Sequence, residues 1–234
     1  MANKDGLRKL RDKTVINETS KKQEMVLIDA VKLVAVSIQK KFGLVLQWDD
    51  KWFLKDIVSH LRKNYPSVEF CDPLDTTYMK PDGGILSLLH KDGGRHPILI
   101  AERKNQGTND LRKLEGKKRQ AQGNAVERLG KNVIGLKTAM TGVGIFPFVC
   151  FGDGCDFEEK SSILDRVITV AMFGHLRKIY LGPDGPNGEF LRGSYYFRSE
   201  AWKSSEIVTV LEDIATRSVH FYISKYGDDE LQRK

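Results

Sequence analysis

The sequence predicts an α/β fold: one domain over residues 23–234, a mixed β-sheet flanked by helices, behind a basic N-terminal arm at 1–22. Three observations carry this. Stretches with helical apolar spacing stand near the start of the chain and at its end. Between them lie short apolar runs bounded by Gly, Pro, Asn and Asp, the pattern of strands. Helical and strand-like stretches interleave, an order that covers a sheet with helices. A chain of 234 residues supports one sizeable core.

Taken in order, residues 1–22 are polar and basic without helical spacing and read as a loosely ordered arm. A helix follows over Lys22–Lys41, stopped by Gly43; apolar residues around most of its circumference mark it as buried. A second helix is expected over Asp49–Asn64, with Trp52, Phe53, Ile57, Val58 and Leu61 along one side and Pro66 beyond its end. Lys80–Gly84 is a bend. Ile85–His90 and Pro97–Lys104 then form a β-hairpin through Lys91-Asp92-Gly93-Gly94. After a polar connector come a helix over Asn124–Met140, a buried strand at Phe148–Phe151 and a helix over Ser161–Phe173. Short strands are expected at Ile179–Leu181 and Ser194–Phe197. A last amphipathic helix, Ser204–Tyr226, sets Ile207, Val210, Leu211, Ile214, Val219 and Tyr222 near one face.

The formal charge is +7, and its distribution says more than its size. From Arg103 to Lys131 there are nine Lys/Arg against three acids. Such a segment is either a solvated basic face or a footprint for phosphates. Cys71, Cys150 and Cys155 make no CxxC pair, and their number is odd, so neither a disulfide framework nor a cysteine zinc site is suggested. His60, His175 and His220 have no zinc spacing, and Trp48, Trp52 and Trp202 read as core or interface. The start of the chain lacks a signal-peptide stretch, and the longest apolar run, Val26–Ile38, is broken by Asp29 and Lys32. A cytoplasmic protein without a membrane partner is expected.

Chemistry concentrates on the second hairpin strand. Side chains alternate along a strand, so Glu102 and Lys104 share one face while Ala101 and Arg103 share the other. Asp82, at the opening of the partner strand, can reach the first face. Two carboxylates with the backbone carbonyl of Arg103 make an oxygen-only ligand set suited to Mg²⁺, the remaining positions falling to water and phosphate. Lys104 beside them can orient or deprotonate an attacking water, or neutralise a phosphorane. Exposed strand charges at this spacing also arise by chance, so the pattern alone leaves both readings open.

Lys80-Pro81-Asp82-Gly83-Gly84-Ile85, Ala101-Glu102-Arg103-Lys104-Asn105-Gln106-Gly107 and Gly123-Asn124-Ala125-Val126-Glu127-Arg128 resemble, in this order, three segments of the EcoRI-like type II restriction endonucleases, members of the PD-(D/E)xK nuclease superfamily. Weaker similarity carries the resemblance from about Tyr65 to Tyr226. It implies a restriction-endonuclease-like core, Asp82 and Glu102 as Mg²⁺ ligands with the Arg103 carbonyl, and Lys104 as the catalytic lysine. It implies that Asn124 and Ala125 lie in an extended segment in the DNA major groove, with Arg128 at the start of the helix behind them. Together with Gln106 these would read an AATT-centred palindrome; an Asn amide does match the donor and acceptor pair of adenine. Read without the resemblance, Gly123-Asn124-Ala125 is a helix N-terminus with Asn near the cap. Lys117, Lys118 and Arg119 are expected on phosphates.

The resemblance further implies double-stranded DNA as partner, cleavage leaving 5′ overhangs, a homodimer matched to the palindrome, and a cognate methyltransferase that protects the host. Two features depart from the pattern. Arg103 stands where a small or apolar residue is usual, and reaches either an open face, a phosphate or a carboxylate. The link between Gly116 and Gly123 is short, which leaves the outer bases of the site undetermined. A repair or recombination nuclease would keep Asp82, Glu102 and Lys104 without needing Gly123–Arg128. A non-catalytic DNA-binding protein would have no use for carboxylates that repel phosphate.

Overall fold

The computed structural model describes residues 13–105, 107–118, 123–184 and 189–234. Helix α1 (Lys13–Phe42) starts well before Lys22, so the second half of the expected arm is helical, while residues 1–12 lie outside the described part. Once the buried turns of α1 are formed, each residue added in front contributes a hydrogen bond at little nucleation cost, and a polar sequence extends the helix. Gly43 ends it as expected, at φ 66°, its N–H donating to the Gln39 carbonyl.

Strand β1 (Leu46–Asp49) follows, then β2 (Trp52–Phe53) and α2 (Leu54–Asn64). The helix expected from Asp49 therefore begins only at Leu54. Trp52 and Phe53 pair instead with Met79 and Tyr78 of β3 (Tyr78–Met79), a small ribbon in which large side chains suit the pleat. The hairpin forms as expected from β4 (Gly84–Leu89) and β5 (Arg95–Asn105). Its register runs from Leu86↔Leu99 straight to Ser87↔Pro97, so Ile98 is the extra residue of a β-bulge. The polar connector holds a short helix, α3 (Gly107–Leu114). Then come α4 (Gly123–Ala139), β6 (Phe148–Asp153), α5 (Ser162–Val170), β7 (Ser194–Arg198) and α6 (Ser204–Tyr226). Helix α5 ends short of Phe173 because Met172 and Phe173 take positive φ, 52° and 60°, which no α-helix continues. Ile179–Leu181 does not form the expected strand; the Leu181 carbonyl accepts from the Phe146 N–H just before β6.

The main sheet has the order β1-β4-β5-β6-β7, antiparallel from β1 to β5 and parallel from β5 to β7. Alternation splits its side chains between two cores. Leu86, Leu88, Leu99, Ala101, Val149, Phe151 and Tyr196 face α1 and α6, which contribute Leu27, Val31, Val34, Ile207, Leu211 and Ile214. Ile85, Ile100, Phe148, Cys150, Tyr195 and Phe197 face α4 and α5, which contribute Val126, Leu129, Val133, Ile163 and Val167. The result is a mixed sheet with helices on both faces, the expected α/β class. No helix among the described residues is long and apolar enough to cross a membrane.

Candidate active site

The carboxyl end of β5, where antiparallel pairing gives way to parallel, carries the site. Beyond the ends of parallel strands the chain leaves the sheet and opens a crevice that ligands can enter. Asp82 lies in the tight turn just before β4. That turn is clamped: the Gly83 N–H donates to the Ala101 carbonyl at 2.9 Å, and the indole N–H of Trp48 donates to the Gly83 carbonyl at 3.0 Å. Gly84 has φ 77° and no room for a side chain, since a Cβ there would stand 2.5 Å from the Trp48 indole nitrogen.

The turn brings Asp82 onto Glu102 by reciprocal backbone bonds. The Asp82 N–H donates to Glu102 Oε2 at 3.1 Å, and the Arg103 N–H donates to Asp82 Oδ2 at 3.1 Å. Lys104 Nζ lies 3.8 Å from Asp82 Oδ2 and makes a short ion pair with Glu102 Oε1. The three side chains singled out from the sequence thus meet. Glu102 is 1% exposed and faces the α4 layer, in register with Cys150 on β6.

Burial raises the Glu102 carboxyl above the ordinary range, Asp82 adds to this, and Lys104 opposes it. Burial would lower the Lys104 ammonium, but Glu102 and Asp82 outweigh it and hold the pKa above the usual lysine value. In this state Lys104 is therefore a cation and not a base. The neighbouring Cys150 is fully buried, and desolvation, helped by Glu102, keeps it a thiol. Two carboxylates share a single ammonium here. Among the described residues no cluster of three or more His, Cys, Asp or Glu forms a ready cage. That donor set fits Mg²⁺, which binds through one or two carboxylates and keeps its other positions for water and phosphate.

Two partners of the site were not expected from the sequence. Asn132, on α4, donates to Glu102 Oε1 at 3.2 Å. Arg103 resolves its alternatives towards a carboxylate: it turns to the α6 side and donates from Nη2 to Asp153 Oδ1 at 2.9 Å, both side chains under 10% exposed. The parallel register that brings Asp153 opposite Asn105, next to Arg103, has no local signature in the sequence.

The chain matches the family model of restriction endonuclease EcoRI over residues 11–173, most of its length and the whole of this site. It belongs to the EcoRI restriction endonuclease family. It is 29% identical over 163 residues to the type II restriction enzyme RsrI of Cereibacter sphaeroides, and 28% identical over 161 residues to the type II restriction enzyme EcoRI of Escherichia coli. Each alignment takes in 65% of this chain and 58% of the relative, so the chain spans less than two thirds of their length.

In this EcoRI-family chain the expected DNA-facing residues fall as follows. Asn124 and Ala125 are in the first turn of α4 and not in an extended segment, so the backbone follows the helix-start reading. Val126 and Leu129, at helical spacing and buried, draw this first turn onto the sheet. The side chains of Asn124 and Ala125 lie outside the described part, as do Gln106 and Arg119. Arg128 is exposed on α4, and Lys117 and Lys118 are exposed before it, Lys117 paired with Glu115 at 2.8 Å.

Proposed function

We propose that this chain is a type II restriction endonuclease, hydrolysing phosphodiester bonds of double-stranded DNA at a short AATT-centred palindrome and leaving 5′ overhangs. One observation carries the reading: Asp82, Glu102 and Lys104 converge at the carboxyl end of β5 in a chain of the EcoRI family. Asp82 and Glu102, with the Arg103 carbonyl, would hold Mg²⁺, which when bound polarises the scissile phosphate and lowers the pKa of an attacking water. Lys104 beside them would orient or deprotonate that water, or neutralise charge developing on the phosphate. Asn132 steadies Glu102 from α4.

The base preference rests on Gly123–Arg128 and its resemblance to the family's base-reading segment, with Asn124, Ala125, Arg128 and Gln106 as readers. Lys117, Lys118 and Arg119 serve the phosphates. A homodimer places one site on each strand of a two-fold symmetric sequence. Activity of this kind in the cytoplasm calls for a cognate methyltransferase protecting host DNA. The test is digestion of a sequenced plasmid with Mg²⁺ and sequencing of the fragment ends. Ends mapping to one palindrome with 5′ extensions support the reading. Uncut DNA, or random ends, overturns it.

A further inference from the structure

We propose that Arg103 and Asp153 form a positioning pair that holds the Asp82 and Glu102 carboxylates in place from the opposite face of the sheet. The inference rests on the nuclease reading and adds the Arg103 side chain and Asp153 to it. Arg103 sits between Glu102 and Lys104, its backbone groups directed along the sheet and its side chain out of the face opposite theirs. Its N–H donates to Asp82 Oδ2 at 3.1 Å, and its carbonyl is the third oxygen of the proposed metal set. On the α6 face its guanidinium is buried and donates to Asp153 at 2.9 Å. Asp153 ends β6 and is itself fixed by the parallel ladder, opposite Asn105, with the Gly154 N–H bonded to the Ser199 carbonyl. The Trp202 indole, packed on Phe151, donates to the Gly152 carbonyl at 3.0 Å. The pair therefore joins β5 to a rigid neighbour at the residue whose peptide touches Asp82.

A plain stabilising role does not account for it. A buried ion pair costs several kcal/mol in desolvation, and apolar side chains of similar size often serve stability as well or better. Arg103 Nε is also buried without a hydrogen-bond partner among the described residues, a further cost. What the ion pair adds over apolar packing is direction: it sets the rotation of the Arg103 peptide and hence where its N–H and carbonyl point.

The experiment compares wild type, Asp153→Asn, the apolar double variant Arg103→Met/Asp153→Leu, and Asp82→Asn as a site control. Each is measured for thermal stability, for Mn²⁺ binding by electron paramagnetic resonance, and for single-turnover plasmid cleavage against Mg²⁺ concentration. Loss of an outer support of a metal site costs about 10- to 100-fold in metal affinity or rate. Asp153→Asn should show this loss in Asp82-dependent Mn²⁺ affinity, with the cleavage curve moved to higher Mg²⁺. The double variant should regain wild-type stability without regaining Mn²⁺ affinity. Recovery of Mn²⁺ affinity along with stability, or unchanged affinity in Asp153→Asn, overturns the proposal. Wild type that binds Mn²⁺ through Asp82 yet never cuts DNA overturns the nuclease reading instead, and the Mn²⁺ comparison still decides this one. Wild type that binds no Mn²⁺ through Asp82 overturns both.

Discussion

Glu102 occupies a position that disfavours its own charge, because burial outweighs the help of Lys104. A carboxyl whose folded pKa exceeds its unfolded one stabilises the fold below the ordinary value of 4.5, and loses that contribution as pH rises through the folded value. Without metal, Glu102→Gln should therefore be more stable than wild type at pH 8. Melting curves in EDTA at pH 5 and pH 8 check this: the gap should shrink at pH 5, and a variant less stable at pH 8 contradicts it. Lys104→Ala should slow cutting by about 10²- to 10⁴-fold while specific DNA binding persists, and Asp82→Ala should abolish cutting in a folded protein. Rate and gel-shift measurements on the same samples separate chemistry from binding. These three residues were legible because strand alternation puts Glu102 and Lys104 on one face, and the resemblance of the Asp82 and Glu102 segments to the family chose the catalytic reading over chance strand charges. Asn132 and Asp153 were not, since one reaches the site through helix packing and the other through a parallel register, and neither leaves a local pattern.

Elements with many turns of consistent spacing were read well: α4 and α6 fall within a residue of expectation. Short pieces were not. β2 has two residues, and its aromatic side chains fit an amphipathic helix as well as a strand until the partner β3 is known. The start of α4 sets a sharper test. A residue that reads a base weakens binding to the correct site by about 1–3 kcal/mol, whereas a phosphate contact weakens all DNA alike. In competition at fixed salt, Asn124→Ala should lose discrimination between an AATT-centred and a scrambled duplex, and Lys118→Ala should lose affinity for both. Equal weakening of both duplexes by Asn124→Ala would show that it is only a helix start near DNA. The turn before β4 gives another prediction. With φ at 77° and Trp48 in the way, Gly84→Ala should destabilise by more than about 1 kcal/mol and also lower cutting through the displaced Asp82. Denaturant titration beside a cleavage assay reads both.

At the scale of the molecule, the class of fold followed from the order of elements, but the parallel pairing of β5, β6 and β7 did not, because those strands are joined through helices and no tight-turn signal marks their partners. A dimer in solution is the matching prediction: sedimentation should give twice the 26.5 kDa of one chain, and a monomer that still cuts both strands in one encounter would contradict the symmetric arrangement. The bulge at Ile98 bears on how such a chain can vary in length. Because Leu86↔Leu99 and Ser87↔Pro97 are already consecutive pairs, loss of Ile98 would heal the ladder, and every residue from Leu99 to Lys104 would keep its face. Loss of one residue between Leu99 and Ala101 would turn the strand over beyond the gap and carry Glu102 and Lys104 away from Asp82, or drag the hairpin out of register. Along β5, then, a single-residue deletion is survivable chemistry at one place and ruinous a few ångströms further on.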